Sequence, residues 1–358
     1  MRKSIKIKAS PHLLKKLREN SGYTEEELAS KLGVTTEKIV KVEKGEDSFT
    51  LTQIKKLADI YKVPLAAFFS KEVPDVPSLP DYRINREKKL NPEVFVAIRR
   101  AKYLSEEVRE LSGKKSEIPS FPDNSPEELA IGFRKYLRIE IPKEKKAREI
   151  LEFYKEVLEN KLSILIMEYP LKADDVRAFC IFSDLAVIVL NESDEPSIKL
   201  FSLFHEVAHL LKRESGICSI DIEAERYDVE RFCDKFAAEF LVPAEDLLTE
   251  AGSIKLTDER IKKLARLYGV SVQVMMLRML ELGKITRDRY QKFREEFDKS
   301  RLKKRKGGIR DWEMTYINRT GRLAVSEVSK AYRKKEISFY EAMRILDLKP
   351  KYAEKIIE

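Results

Sequence analysis

Apolar positions recur at helical spacing through residues 10–70, in short runs separated by tight breaks. Leu13, Leu14 and Leu17 mark the first run, which ends near Ser21-Gly22. Thr24 followed by Glu27 is the pattern of a capping box, and the helix it opens continues through Leu28, Ala29 and Leu32 to a break at Gly33. Thr35 caps a third helix carrying Ile39, Val42 and Glu43, with Gly45 as its stop. Two more helical stretches follow at about 50–61 and 64–70. Five helices with a tight turn between the second and third predict a helix-turn-helix module over 8–70. Pro74, Pro77 and Pro80 then predict an extended connector. Residues 90–113 read as a helix and 114–126 as a second loop, so 71–125 is a linker with one helix.

The pattern next predicts one long amphipathic helix over about 126–160, after which the period changes. Leu162–Met167, Val176–Phe182 and Leu185–Leu190 are short, rich in β-branched residues and separated by turn residues, which predicts strands. A strongly apolar helix follows at 196–212, and another at about 225–241 ends before Pro243. Residues 126–250 therefore read as an α+β domain. Residues 251–358 read as helical, interrupted by a basic loop at 303–308.

Composition narrows the class. Hydrophobic residues make up 43% of 358, enough for a real core and against a mostly disordered chain. Cys180, Cys218 and Cys233 are too few for a disulfide framework, and no two form a Cys-x-x-Cys pair. The N-terminus has charge but no apolar core of a signal peptide, and no apolar run is long enough to span a bilayer. These features predict a reducing, cytoplasmic location and no membrane partner. The net charge of +9 favours anionic partners, nucleic acid first, although a solvated lysine-rich surface accounts for it equally well.

The segment with the sharpest chemistry is Leu200-Phe-Ser-Leu-Phe-His-Glu-Val-Ala-His-Leu-Leu211. Residues four apart share a helix face, so His205 and His209 can reach one ion. Zinc suits two imidazoles and a carboxylate with a fourth position open, although Mn2+ or Fe2+ is not excluded. Glu206, the next residue, is placed to act as general base on a water attacking a peptide carbonyl. The chain has only three histidines, and an ordinary buried helix would leave two of them, and Glu206, without partners. The third ligand must come from elsewhere. Glu230 lies on the following helix at a plausible return distance, with Glu223, Glu225, Asp228 and Glu239 as competitors that spacing alone does not remove.

The H-E-x-x-H segment followed by Glu230-x-x-Cys-Asp-x-Phe-Ala-Ala-Glu-x-Leu-x-Pro243 resembles the ImmA/IrrE family of metallopeptidases. The resemblance implies a zincin-like fold for the central domain, Glu230 as third metal ligand and Asp234 as a hydrogen-bonding neighbour of the site. It departs from the family pattern at Asp234, where Asn is usual, and at Lys199, where Arg is common. It extends through 270–283 and a C-terminal tail over 309–358. Cys233 could supply a fourth ligand in a closed site, but its place one residue before Asp234 predicts that it points away from Glu230's face.

Residues 10–70 also resemble the Xre/lambda-repressor type of helix-turn-helix, carried by Tyr23-Thr24-x-x-Glu27-Leu-Ala29, Leu32-Gly33-Val34, Ile39 and Val42-Glu43-x-Gly45, with Arg18 and Glu43 expected to pair beneath the core. That likeness implies double-stranded DNA as a partner and a homodimer through this module. Thr36, Glu37 and Lys41 would face base edges, with Lys38 and Lys44 near phosphates. Residues 1–70 hold 14 Lys+Arg against 9 Asp+Glu, which supports DNA weakly, while Glu25 and the acidic Glu37 count against it.

The expected whole is an α+β multidomain chain: an all-α helix-turn-helix bundle, a metallopeptidase domain with a small sheet over 126–250, and a helical C-terminal region over 251–358. The expected function is a DNA-binding regulatory zinc endopeptidase that cleaves a repressor or another regulatory protein, a substrate strand adding to the edge of the 160–190 sheet. The competing reading is a helix-turn-helix regulator, of a toxin–antitoxin or mobile-element system, whose metal site is sensory or structural.

Overall fold

A computed structural model describes residues 6–7, 9–69, 91–122, 125–172, 176–213, 216–219, 228–252, 256–300 and 311–357. The expected proline connector and the basic loop at 303–308 lie outside these residues. The chain divides into two compact units, Met1–Tyr103 with Pro170–Ala173, and Leu104–Tyr169 with Asp174–Glu358.

The first unit contains α1 (Pro11–Glu19), α2 (Glu25–Leu32), α3 (Thr36–Glu43), α4 (Leu51–Tyr61) and a 3-10 turn at Leu65–Phe69. Helix α5 (Pro92–Ser112) begins in it, and the division between the units falls within that helix. The capping box forms: Glu27 N donates to Thr24 Oγ1 at 3.1 Å, and Thr24 N donates to Glu27 Oε2 at 2.8 Å. Gly33 ends α2 in the left-handed region at φ 75°, which sets the tight turn into α3. Leu17, Leu28, Leu32, Ile39, Val42 and Ile54 fill the core. Arg18 is buried among them and grips Glu43 with two parallel bonds, Nε to Oε1 at 2.7 Å and Nη2 to Oε2 at 2.8 Å. A third bond, Nη1 to the Tyr23 carbonyl at 2.9 Å, ties the α1–α2 corner to α3.

The second unit contains α6 (Pro126–Leu137), α7 (Ala147–Leu162), β1 (Leu165–Tyr169), β2 (Val176–Ile181), β3 (Val187–Asn191), α8 (Pro196–Leu211), β4 (Gly216–Ser219) and α9 (Asp228–Leu241). It continues with α10 (Ala244–Ala251), α11 (Asp258–Tyr268), α12 (Val272–Glu281), α13 (Arg287–Ser300), α14 (Trp312–Thr320), α15 (Arg322–Arg333), α16 (Phe339–Leu346) and α17 (Pro350–Ile357). The single helix expected over 126–160 is two helices. Arg138 caps α6 in the left-handed region at φ 49°, and Pro142 in the link bars a continuous helix because a proline disfavours helical backbone at the residue before it.

The sheet order is β1-β3-β2-β4, with β1 and β3 parallel and the other pairs antiparallel. Strand β4 was not expected; four residues beginning with glycine carry too little alternation to be seen. The hydrophobic core joins α6, α7, the sheet, α8 and α9 to α11 and α12, through Tyr268, Met275 and Met279.

Gly321, between α14 and α15, sits directly against β1. Its φ is 86°, and a Cβ there would lie 2.7 Å from Leu165 Cδ1 and 2.8 Å from the Ile166 carbonyl oxygen. Gly283 also has a positive φ, 64°, but nothing lies within 4 Å of its missing Cβ. Gly321→Ala is expected to cost about 2–4 kcal/mol, combining backbone strain and steric clash, and Gly283→Ala about 1 kcal/mol from backbone strain alone. Denaturant titration of the two variants checks this; equal losses would mean that the close approach to β1 contributes nothing.

Candidate metal centre

Helix α8 is apolar on nearly every side: its residues from Leu200 to Leu210 are buried except Phe201, which is half-buried and packed against the core. Its burial carries three polar side chains inward: His205, Glu206 and His209 are 2%, 0% and 3% exposed. Helix α9 lies alongside, held by Phe204 stacked on Phe240 at 4.0 Å between ring centroids. That packing aims the first turns of α9 at the histidines.

Three ligating groups converge there. His205 Nε2 lies 3.2 Å from His209 Nε2 and 3.1 Å from Glu230 Oε2, and His209 Nε2 lies 3.5 Å from Glu230 Oε1. Two ring nitrogens facing each other share at most one proton, so the group is not self-satisfied as a hydrogen-bonded cluster. A cation between them resolves the conflict: tetrahedral ligation at about 2.0–2.1 Å puts neighbouring donor atoms about 3.3 Å apart. The observed separations bracket that value, so the residues fit a zinc-sized divalent ion. His205 Nδ1 is 3.0 Å from Asp234 Oδ1. With Nδ1–H donating to that carboxylate, the Nε2 lone pair is directed at the shared centre.

Glu206 projects into the core beside this cluster. Both of its carboxylate oxygens are buried without a hydrogen-bond partner among the described residues. Burial pushes its carboxyl up to about 8; His205 and the Cys180 thiol on β2 pull it back, and Glu230 adds to the rise. A cation held by the neighbouring ligands would favour the ionised form.

The competitors for the third ligand separate. Asp228 is exposed at the start of α9. Glu239 is buried in an ion pair with Arg278 and accepts from Ala244 N. Glu223 and Glu225 lie outside the described residues. Cys233 does not point away as expected: its Sγ and one ring nitrogen each of His205 and His209 all lie within 4.8 Å of one another. The reason is helical geometry, since residues three apart, like Glu230 and Cys233, share a face. Cys180 was also missed; nothing local in a strand reveals that it faces a glutamate on a later helix.

In the first unit, Glu37, Lys41 and Lys44 are exposed on or just after α3, and Thr36 is half-buried at its start. The Glu37 carboxyl is held below its usual range by its own backbone N–H and the Thr35 side chain. Lys38 is turned back into the module, paired with Asp47 and donating to the Ser48 carbonyl at 3.1 Å, because the chain after Gly45 folds beside it.

No described helix is long and apolar enough to cross a membrane. No curated protein matches the chain. Residues 14–68 match the family model of a helix-turn-helix domain, and residues 159–280, which contain the whole cluster above, match that of the IrrE N-terminal-like domain of peptidase family M78. The chain thus joins a segment similar to helix-turn-helix domains to one similar to the IrrE N-terminal-like domain.

Proposed function

We propose that the protein is a regulatory zinc endopeptidase that binds double-stranded DNA and cleaves a repressor or another regulatory protein. The observation that carries this reading is the convergence of His205, His209 and Glu230 beside the fully buried carboxyl of Glu206. His205 Nε2, His209 Nε2 and a Glu230 oxygen would hold the ion, and Asp234 would orient His205. Zinc supplies Lewis acidity when bound. Glu206 then acts as the base: its carboxylate takes a proton from the attacking water and gives it to the leaving amine nitrogen. Mn2+ and Fe2+ accept the same donors.

Substrate placement differs from the expectation for the 160–190 strands. The outer side of β1 is met by Gly321, and β2 is paired with β4. A substrate strand would therefore pair with β4, which has no second partner strand among the described residues. Helix α3 would enter the major groove with Lys41 and Lys44 outward, and two copies of the module would give a homodimer on DNA.

The nearness of Cys233 to the two histidines favours a second reading, a closed His/His/Glu/Cys site serving a regulator without turnover. Cobalt-substituted protein discriminates: a thiolate-to-cobalt absorption band supports the closed site, and its absence the open one.

Glu206→Gln is expected to retain stoichiometric metal and lose turnover by about 100-fold or more, whereas His209→Ala loses the metal. Metal content by mass spectrometry, with new protein N-termini in host lysate treated with wild type or Glu206→Gln, checks both. Undiminished cleavage by Glu206→Gln would remove it as the base. On the DNA side, Lys41→Ala is expected to weaken duplex binding and reduce the slope of log K against log salt by about 1. Lys38→Ala, whose ammonium is engaged by Asp47, should change that slope far less. Fluorescence anisotropy over a salt series reads both.

A further inference from the structure

A polar cavity of about 170 Å³ lies in the second unit, lined by residues of α7, β1, α8 and α14 and by Glu192 after β3. At its floor Glu168, 5% exposed, accepts from Lys155 at 2.7 Å on one oxygen and from Lys199 at 2.6 Å on the other. Burial alone would raise the Glu168 carboxyl, but the two lysines outweigh it and hold it down at about 2. The other carboxylates of the wall are neutralised as well. Glu192 accepts from Arg319 Nε at 2.6 Å, and Glu152 pairs with Arg322.

The charge balance decides the ligand class. Two cations, Arg148 and Lys199, line the cavity with three carboxylates, and Lys155, Arg319 and Arg322 pair with those carboxylates, so that five cations offset three carboxylates in all. Glu159, behind Lys155, is pushed up to about 7 by burial and does not reverse the excess. Lys155 spends its three donors on Glu168, Asn318 and Glu152. Lys199, 7% exposed, spends one on Glu168, leaving donor capacity towards the cavity. Arg148 stands exposed at the mouth, and no carboxylate among the described residues pairs with it. The cavity also lies beyond the carboxyl ends of the parallel strands β1 and β3, against the first turn of α8, where backbone dipoles favour negative charge.

We propose that this cavity binds a small anionic metabolite bearing a phosphate or carboxylate group, held by Lys199 within and Arg148 at the mouth. Its volume admits a group the size of inorganic phosphate or a short dicarboxylate, since a water occupies about 30 Å³ of liquid. The site is separate from the peptidase cluster, although Lys199 and His205 share α8.

Isothermal titration of inorganic phosphate and of malonate into the full-length, metal-loaded protein, in chloride at matched ionic strength, tests this. One of the two is expected to give a single saturable site, and which one does so separates phosphate from carboxylate ligands. Arg148→Glu, at an exposed position, is expected to weaken that site by about tenfold or more, the cost of one lost charged contact. Lys262→Glu, the same charge change at an exposed position on α11, should leave it unaltered. No saturable binding by either anion, or equal affinity in wild type and Arg148→Glu, would overturn the proposal.

Discussion

The second unit depends on one constraint: two imidazole nitrogens and a carboxylate are pressed to within 3.5 Å of one another at the junction of two packed helices. Helix α8 cannot turn its polar residues to solvent, because nearly every other face of it is in the core. Burying polar groups is costly unless each is satisfied, and His205, Glu206 and His209 enter together. A structural zinc site can return about 10 kcal/mol or more, which would offset that cost. The stacking of Phe204 on Phe240 and the geometry of the cluster therefore support each other: the rings fix the interhelical distance, and at that distance the donor atoms would suit a cation.

The rest of the unit holds this pair in place. Helices α11 and α12 share the core with α8 and α9, and Arg278 of α12 pairs with Glu239 while its Nε donates to the Val242 carbonyl at 3.1 Å. One buried arginine thus fixes the C-terminal end of α9. On the opposite side, the α14–α15 corner closes against β1 through a glycine that admits no side chain. Helices α11 and α12 are accordingly part of how the centre is built, because they share its core.

Much of this was legible in the sequence where the signal is local. The His205–His209 pair, the capping box at Thr24 and the turn at Gly33 follow from spacing and residue type, and the Arg18–Glu43 pairing from the likeness to known helix-turn-helix modules. Pro142 was legible too, but the strong helical period on both sides of it masked the break. The misplacement of Cys233 has a different origin. Its neighbour Asp234 was used as the reference, whereas Glu230, three residues away on the same face, sets its direction. The Lys155–Glu168–Lys199 cluster was out of reach, because it joins three elements across 44 positions of the chain and each residue alone reads as an ordinary surface charge. Such long-range electrostatic pairing leaves no period in the sequence.

The electrostatics of Glu206 tie metal binding to catalysis. Burial, more than any neighbouring charge, pushes its carboxyl up to about 8, which favours the uncharged acid, and an uncharged acid cannot accept a proton. A divalent charge held by its helix neighbours favours the carboxylate, and at the separations of this cluster that effect is large in a low-dielectric core. The same ion that satisfies the crowded nitrogens would therefore also convert Glu206 into a competent base. On the proposed reading, removing the metal would take away the Lewis acid and leave the base protonated at the same time.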